Sequence, residues 1–517
     1  MNYLNTKSPL ILFEEARNTD IYVDKCMLID KISSHIRTNS KYICITRPRR
    51  FGKTINASML GAYYTKGYDS SDLFNDLNIA QTDSYLSHLN CHNVIYIDFS
   101  RMPDDCISYQ QYIKSIRRKL KNDLFDTYPK LETKEYDSLS ELLMDTEDTF
   151  LFILDEWDSI FYKKFMCQED KNAYLQFLKD LLKDQSYVEL AYMTGVLPIT
   201  KYSSGSELNM FREYNFMNDH VYDSFFGLNE DEVQELCQTY ASVSYEELKR
   251  WYDGYRMSNG KSLFNPRSVN LALSDGVCLN YWTETGPMNE IADCIEHNVD
   301  AVREDVVKLV AGLSIPVKLE GYSASELQMD TRDEILSAMV VYGFLSYHDG
   351  MLRIPNHELM EKFQRVLSRK SMGSVREIVL RSREMLDATL DENGEKVAQI
   401  LEDVHDREIP FLQYNDENAL SCVITLCYLA ARDDYEVIRE ARSGKGYCDY
   451  LFRPLRPSHP AIILELKVDG SCEQALAQIR EKNYMQKVEN CKEILLVGIN
   501  YDSRSKHHEC QIEKIEK

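Results

Sequence analysis

Short apolar runs separated by longer stretches with helical spacing dominate the first 220 or so residues. The runs Tyr42–Thr46, Asn93–Asp98, Phe150–Leu154 and Val188–Thr194 have the length and composition of buried parallel strands. The segments between them are long enough for the crossover helices that parallel strands require. The pattern therefore predicts an α/β domain over residues 1–222.

The pattern changes over residues 223–372, which read as mostly helical. Asn229 and Glu232 have the spacing of a capping box that opens the helix NEDEVQELCQTY. Further on, RDEILSAMVVYGFLSYHDGMLRIPNHELMEKF predicts a helix, a hairpin with its tight turn at Asp349-Gly350, and a second helix. This order is typical of a small winged-helix-like unit.

Residues 373–517 return to an α/β pattern after a leading helical linker, REMLDATLDENGEKVAQILEDV. A buried helix, ENALSCVITLCYLAA, precedes three candidate strands, YEVIRE, YCDYLFRP and AIILELKV. The helix CEQALAQIREKNYMQKV and a last strand, EILLVGIN, follow. The chain is therefore predicted to hold two α/β units separated by a helical region.

Composition narrows the classes of partner. The chain has 517 residues and a formal net charge of −23, which argues against a general polyanion-binding surface and leaves only local basic patches for nucleic acid. Its 14 cysteines form no CxxC pair, so neither a zinc site nor a disulfide framework is indicated. The longest apolar stretch, Ala419 to Ala431, is too short to span a membrane. We expect a cytoplasmic protein without a membrane contact.

The segment YICITRPRRFGKTINASML places a strand, a loop and a helix start in the order of a P-loop, in which backbone N–H groups hold phosphate oxygens. Lys53 would reach the β- and γ-phosphates, and the Thr54 hydroxyl would bind Mg²⁺. Arg47 stands where a full Walker A motif has glycine. The basic side chains of the loop could contact phosphates, counter the acids across the site, or form a solvated turn. The predicted nucleotide-binding loop comprises Arg47, Pro48, Arg49, Arg50, Phe51, Gly52, Lys53 and Thr54.

Two further strand ends complete this predicted site. FLFILDEWD ends in Asp155, which would hold the Mg²⁺ shell, and Glu156, which would polarise the attacking water. Thr194 ends the strand ELAYMTG, where additional-strand P-loop ATPases place a polar γ-phosphate sensor. The alternatives are a solvated acidic turn and a plain strand end.

A second chemical pattern lies in GKGYCDYLFRPLRPSHPAIILELKV. Glu465 and Lys467 share one face of a strand because residues two apart point the same way, and a hairpin could bring Asp449 beside them. Two converging carboxylates bind Mg²⁺ or Mn²⁺, and a neighbouring lysine can position or deprotonate a water. The alternative is a surface hairpin with ordinary charges.

Several motifs together resemble the predicted AAA-ATPase-like family of many anaerobic bacteria and some archaea. They are RPRRFGKT preceded by IYVDKCMLIDKI, then LDEWD, TGVLPITKYSSGSELNMF, WYDGYRM, FNPRSV and GFLSYHDGMLRIPNHEL. That family's arginine-rich loop also lacks the first Walker glycine. This chain departs from it at Trp157, where tyrosine is usual, and at Arg267, where tryptophan is common. The resemblance implies ATP and Mg²⁺ as ligands.

The C-terminal Asp449, Glu465 and Lys467 resemble the D…ExK arrangement of PD-(D/E)XK nucleases. The flanking features that strengthen the resemblance are an acid-bearing helix starting at Glu417, Glu440 at a strand end, and a helix carrying Gln478 and Tyr484. Tyr447 stands where the family often has arginine, which puts substrate contacts in doubt more than metal binding.

These features give one leading hypothesis: an ATP-dependent nuclease-like protein acting on DNA or RNA, suited to defence against foreign genetic elements. A nucleotide-gated binding switch with an inactive nuclease-like domain is the alternative, and a P-loop that binds nucleotide but barely hydrolyses it is a third. A homo-oligomer is one possible assembly. Ring formation is not assumed, because no arginine finger can be named. Two other motifs have less specific interpretations. The basic run KSIRRKLKNDL is either a solvated helix face or a polyanion contact. The pair His507-His508 is interpreted as a solvated terminus.

Overall fold

The computed structural model describes residues 1–199, 208–216, 219–257, 259–282, 300–318, 331–368, 374–405, 417–443 and 446–516. These residues fall into two compact units. The first is formed by Met1–Thr285, Val317–Gly350 and Pro355–Glu358, and the second by Gly286–Pro316, Met351–Ile354 and Leu359–Lys517. The three-part division at residues 222 and 372 stays a prediction.

The first unit is built on a five-stranded parallel sheet, in which four strands follow the predicted apolar runs. Its strands are β1 (Tyr42–Thr46), β2 (Asn93–Asp98), β3 (Phe150–Asp155), β4 (Val188–Gly195) and β5 (Arg212–Tyr214). They lie in the order β2-β3-β4-β1-β5, and every neighbouring pair is parallel. One strand, β4, is therefore inserted between the strand that leads into the GKT loop and the strand that ends in acids.

Helices join these strands and cover the sheet. Alternate side chains of the central strands pack into one apolar core with the helix that follows the loop, because residues two apart on a strand share a face. The helices are α1 (Ser8–Arg17), α2 (Met27–Ser33), α3 (Lys53–Tyr64), α4 (Tyr85–His88), α5 (Tyr109–Thr127), α6 (Leu139–Met144) and α7 (Gln168–Leu182).

The helical part of the first unit surrounds a small antiparallel sheet in the order β6-β8-β7. The predicted capping box is present, with Asn229 accepting from the Glu232 backbone N–H and Glu232 accepting in return. Asn265 caps the helix that begins at Pro266. The elements are β6 (Leu228–Asn229), α8 (Glu230–Tyr240), α9 (Tyr245–Tyr252), β7 (Tyr255–Arg256), β8 (Ser262–Phe264) and α10 (Pro266–Asp275).

The WYDGY segment packs rather than facing solvent. Tyr252 and Tyr255 are fully buried, as a packing role requires. Gly254 between them has a φ of 114°, and a Cβ there would lie 1.8 Å from the Pro355 carbonyl oxygen. Only glycine fits this close approach of two backbones.

The segment predicted to be winged-helix-like has the predicted order of helix, hairpin and helix: α12 (Arg332–Val341), β10 (Ser346–His348), β11 (Met351–Arg353) and α13 (His357–Leu367). Helix α11 (Asp300–Val310) and strand β9 (Ile315–Pro316) precede it and were not predicted. Asp349, with a φ of 49°, and Gly350, with a φ of 79°, occupy the turn between β10 and β11. A relationship to winged-helix domains stays a prediction.

The second unit contains a five-stranded mixed sheet in the order β12-β13-β14-β15-β16. The central pair β14 and β15 is parallel and is joined through helix α17, while the other neighbours are antiparallel. Its elements are α14 (Ser374–Leu390), α15 (Gly394–His405), α16 (Glu417–Cys427), β12 (Tyr435–Ser443), β13 (Gly446–Pro454), β14 (Ala461–Val468), α17 (Cys472–Glu481), β15 (Glu493–Asp502) and β16 (His507–Glu516).

Three details of this unit differ from the sequence predictions. The linker is two helices, broken at Glu392 with a φ of 58°. The helix predicted through Val488 ends at Glu481, because Asn483 adopts a φ of 55° that stops an α-helix. His507 and His508 begin strand β16. The His507 side chain is exposed as predicted, but the prediction of a solvated residue is wrong for His508, which is fully buried and stacks on Tyr501.

Across the described ranges, no helix combines the length and apolar character needed to cross a membrane. The cysteines in these ranges are all free thiols.

Candidate functional sites

The GKT loop occupies the C-terminal edge of the parallel sheet. Strand β1 ends at Thr46 and helix α3 begins at Lys53, so the loop leads directly into a helix N-terminus. Two residues of the loop are left-handed, Arg50 with a φ of 74° and Gly52 with a φ of 86°. This turn directs the first backbone N–H groups of the helix toward the loop, where the helix dipole favours an anion.

Lys53 is buried inside this loop, with 4% of its surface exposed. Its ammonium donates to the backbone carbonyls of Arg47 at 3.1 Å and Pro48 at 3.0 Å. Burial lowers the pKa of Lys53, and the charges of Glu156 and, to a lesser extent, the other strand-end acids oppose that shift. The Lys53 ammonium therefore lies within the electrostatic influence of the acidic strand end.

Asp155 ends strand β3 and is completely buried. One carboxylate oxygen accepts from the Thr194 hydroxyl, and the other has no hydrogen-bond partner within the described residues. Burial raises the pKa of Asp155 to about 6, while the Thr194 and Thr54 hydroxyls act in the opposite direction. Thr194 thus lies at the predicted strand end, and its hydroxyl is engaged by the acid.

Glu156 and Asp158 continue the acidic cluster after β3. Glu156 is half-buried and has a φ of 52°, a backbone conformation that non-glycine residues rarely adopt. Asp158 is fully buried and accepts from the backbone N–H groups of Val196 and Leu197. Burial and the neighbouring Glu156 raise the pKa of Asp158 to about 6.

Asp158 is a site residue that the sequence predictions left out. It was visible as the last acid of LDEWD, but its partners lie on the segment after β4, about 40 positions further along the chain. It ties the end of the Thr194 strand to the acidic strand, and its charge acts on Lys53. Its role is therefore to fix the two strand ends that meet at the site.

The Arg47 side chain turns away from the loop opening. Its guanidinium is 1% exposed, donates to the Tyr214 carbonyl at 3.0 Å and forms a buried ion pair with Asp219. It also lies 5.0 Å from the centre of the Phe226 ring. In turn, Asp219 accepts from two backbone N–H groups that follow it. The residue at the first Walker position thus anchors the loop to the segment after β5.

The remaining loop residues divide between packing and solvent. Pro48 and Phe51 are buried, and the Phe51 ring contacts Tyr255 edge to face at 5.2 Å. Arg49 is half-buried with its guanidinium 5.8 Å from the Tyr162 ring centre. Most of the Arg50 side chain is exposed. The part of the guanidinium that is removed from solvent, together with the nearby cations Arg267 and Arg49, lowers the pKa of Arg50. Among the loop arginines, Arg49 and Arg50 therefore have the solvent access that a phosphate contact needs.

A cavity of about 510 Å³ opens beside Phe51 and Gly52. The start of α3 forms one wall, and the segment around Tyr22, residues 225–228 and the helix beginning at Pro266 form the others. This volume lies within the 300–1,000 Å³ range of small-molecule sites. The quoted motif IYVDK lines it, although the sequence alone assigned no role to that segment. The lining from these elements includes Tyr22, Val23, Lys25, Asn56, Asn270 and Leu271.

The second unit brings Asp449, Glu465 and Lys467 together as predicted. Asp449 accepts from the Leu466 backbone N–H at 2.7 Å, and its own N–H donates to Glu465 at 3.4 Å. Lys467 reaches Glu465 at 3.5 Å. Glu465 is only 2% exposed, so both faces of its strand are covered. Burial and then the charge of Asp449 raise the pKa of Glu465 to about 7.

Two residues of the following segment contact this cluster. The Gln478 side-chain amide donates to Glu465, and it lies 3.5 Å from the hydroxyl of the buried Tyr484. Gln478 therefore holds the glutamate directly. The side chains of Glu417, Glu440 and Tyr447, the other residues singled out from the sequence, lie outside the described residues.

Both clusters fit the divalent cations expected for them. In the first, the Asp155 oxygen without a donor and the nearby Thr54 hydroxyl are hard oxygen ligands of the kind Mg²⁺ prefers. In the second, two adjacent carboxylates repel each other, and a cation would relieve the repulsion that raises the Glu465 pKa. Neither contains three or more His, Cys, Asp or Glu side chains in metal-binding proximity within the described residues.

Comparisons with known proteins match two regions of the chain. Residues 11–204 match the family model described as predicted AAA-ATPase, and residues 415–510 match that of the PD-(D/E)XK nuclease superfamily. Similar solved structures include a Walker-type ATPase of Pyrococcus abyssi, which is 13% identical in sequence. The match covers 68% of this chain and 99% of the ATPase chain, with a TM-score of 0.35. The similar structures also include the ORC2 protein of Aeropyrum pernix, 10% identical, covering 70% and 98% with a TM-score of 0.33. No curated protein sequence matches.

Proposed function

Because the chain joins a region of the predicted AAA-ATPase family to a region of the PD-(D/E)XK nuclease superfamily, we propose that it is an ATP-controlled, metal-dependent nuclease. The first site would bind and hydrolyse ATP with Mg²⁺. The second would cleave a phosphodiester bond of DNA or RNA with Mg²⁺ or Mn²⁺. Defence against foreign genetic elements is the setting we propose for this pairing.

The nucleotide site is supported by the arrangement around Lys53. A lysine at a helix N-terminus and a buried acid with a free oxygen lie within one electrostatic site, as a triphosphate with its metal requires. The 510 Å³ cavity beside Gly52 offers space for the nucleoside, while the phosphates would lie along the loop backbone. Lys53 would exchange its two loop carbonyls for phosphate oxygens.

Different residues would then carry hydrolysis. Glu156 would polarise the attacking water, and the Asp155 carboxylate with the Thr54 hydroxyl would hold Mg²⁺, which would neutralise the developing phosphate charge. Thr194 would act by holding Asp155 rather than by touching the γ-phosphate, because its hydroxyl already donates to that acid. Exposed Arg50 is the loop arginine best placed for a phosphate contact.

Cleavage would use the second cluster. Asp449 and Glu465 would hold the divalent cation, which activates a water and stabilises the charge on the phosphate. Lys467 would position that water or take up its proton, and Gln478 would fix the Glu465 carboxylate. The observation that carries the proposal is the convergence of Asp449, Glu465 and Lys467 around one buried carboxylate.

The test is a cleavage assay on DNA and RNA panels with ATP and Mg²⁺ or Mn²⁺. We expect metal-dependent cleavage by the wild type and none by Asp449→Ala, Glu465→Ala or Lys467→Ala. In parallel, phosphate release should fall in Lys53→Ala and Glu156→Gln. Cleavage that survives in the C-terminal variants would remove the nuclease proposal, and equal phosphate release in all proteins would remove the hydrolysis proposal.

One observation favours a second candidate, a nucleotide-gated binding switch whose nuclease-like domain is inactive. The described residues supply two carboxylates to the C-terminal cluster, and no group of three or more His, Cys, Asp or Glu side chains that could hold a metal ion occurs among them. This candidate predicts tight ATP binding and a nucleotide-dependent change in partner affinity, with no cleavage under any metal.

A further inference from the structure

A basic groove lies in the first unit, separate from the acidic strand ends and the GKT loop. It is a concavity of about 290 Å³ between α5, the turn that precedes α6, and α7. Four cations line it from one helix: Lys114, Arg117, Arg118 and Lys121. We refer to these four residues and the concavity they line as the basic groove.

The spacing of the four cations arranges them in a row. Positions 114, 117, 118 and 121 follow the i, i+3, i+4, i+7 pattern, so they share one face of α5. The row extends about 10 Å along the helix at ~1.5 Å per residue. A row of this length can contact consecutive phosphates of one nucleic-acid strand.

The charge of the groove opposes that of the chain as a whole. Two acids, Asp137 and Asp180, also line it, which leaves four positive charges against two negative ones. The chain has a net charge of −23. None of these four cations forms an ion pair within the described ranges, whereas other exposed cations of the described residues, such as Lys134 and Arg383, have an acidic partner. A local surplus of unpaired cations on an acidic protein indicates an anionic ligand.

Two aromatic side chains accompany the cations. Arg117 lies over the buried Phe177 ring, 5.4 Å from its centre, which limits the freedom of its guanidinium. Tyr136 lines the groove and is half-buried, with its hydroxyl 3.3 Å from Asp145. Cations along a groove with an aromatic ring beside them are typical of sites for single-stranded nucleic acid, where bases stack on the ring.

We propose that the basic groove binds the phosphate backbone of a single-stranded nucleic acid, with Tyr136 as a stacking surface for one base. This binding deepens the proposed function, because it provides a place to hold the substrate of the C-terminal site on the first unit. It requires neither ATP hydrolysis nor cleavage.

Binding is measured with the full chain by fluorescence anisotropy of a labelled oligothymidylate, in EDTA and without ATP, over a series of KCl concentrations. Arg118→Gln/Lys121→Gln removes two exposed or half-exposed cations. The matched control is Lys66→Gln/Lys164→Gln, which removes the same charge from exposed positions outside the groove. Because cleavage needs a metal, this assay reports the groove even if the nuclease proposal fails.

We expect the groove variant to bind about tenfold more weakly than the control. Its slope of log affinity against log salt should be shallower by about 1.4, because each lost contact to a single strand removes ~0.7. Tyr136→Ser should also lose about tenfold, whereas Tyr136→Phe should bind like wild type. Equal slopes in the groove variant and the control would overturn the proposal, and so would tighter binding of inorganic polyphosphate or a duplex than of the single strand.

Discussion

The buried ion pair between Arg47 and Asp219 gives the most quantitative prediction. Arg47→Met keeps much of the side-chain volume but removes a guanidinium that donates to the Thr46 and Tyr214 carbonyls and pairs with Asp219. Breaking a buried ion pair by removing one partner costs about 3–5 kcal/mol. Asp219 keeps two backbone N–H donors, so we expect the lower end, about 3 kcal/mol.

The reverse change should cost more. Asp219→Asn leaves the Arg47 charge buried opposite a neutral amide, so we expect about 4–5 kcal/mol. The double variant leaves neither charge buried without its partner. The stability that it loses should therefore be about 3 kcal/mol smaller than the sum of the losses in the two single variants. A coupling of that size marks a direct interaction rather than two independent defects.

The assay follows the first unit alone. The chain's three tryptophans are Trp157, Trp251 and Trp282, and all lie in that unit. Urea unfolding followed by tryptophan fluorescence therefore reports its free energy of unfolding without a signal from the C-terminal unit. ATP affinity is measured in parallel, in the absence of urea.

The result separates two roles for Arg47. If it anchors the loop, Arg47→Met and Asp219→Asn should lower stability and ATP affinity together. If Arg47→Met is within about 1 kcal/mol of wild type while ATP affinity falls ~100-fold, Arg47 contacts phosphate and the anchoring account is wrong.

Three other changes test separate features. Thr194→Val removes the hydroxyl that holds Asp155, so ATP turnover should fall roughly 10- to 100-fold with little change in ATP affinity. Gly254→Ala places a methyl group against a backbone oxygen and should lower the free energy of unfolding, measured by tryptophan fluorescence, by about 3 kcal/mol or more. Its control, Gly67→Ala, has a φ of 96° and open space around the position, and should cost about 1–2 kcal/mol. Tyr450→Phe removes a buried hydroxyl from its partners on α16 and should cost about 1–3 kcal/mol, read as faster hydrogen exchange in β15.

Each of these has an outcome that would contradict it. Thr194→Val should lose turnover rather than binding, so a large loss of ATP affinity with unchanged turnover would return Thr194 to a direct phosphate contact. Equal costs at Gly254 and Gly67 would mean that backbone proximity at Gly254 is not limiting. Unchanged exchange in β15 after Tyr450→Phe would separate the hydroxyl from the stability of the second sheet.

Local patterns predicted four strands of each five-stranded sheet and most of the helices. The four apolar runs of the first sheet match the observed strands to within one residue at each end, because fully buried strands have a continuous apolar pattern. The proximity of Asp449 and Glu465 followed from the period of a strand and a hairpin connection. These features depend on residues close together in the sequence.

The rest depends on partners far along the chain. Arg47 reads as one cation of a basic loop, and its partner Asp219 lies 172 positions away. His508 reads as a polar terminus, yet it is buried in a strand that pairs with β15. The cavity beside Gly52 has walls from four segments that are distant in the sequence. Tertiary contacts decide these cases, and no periodicity records them.

The central claim is that nucleotide at the GKT loop controls metal-dependent cleavage at the Asp449 cluster. The most direct measurement is the rate of single-strand cleavage with Mg²⁺ as ATP is titrated, for wild type and Lys53→Ala side by side. The account predicts a rate that depends on ATP in the wild type and does not respond to it in Lys53→Ala. Identical rates in both proteins at every ATP concentration would contradict it.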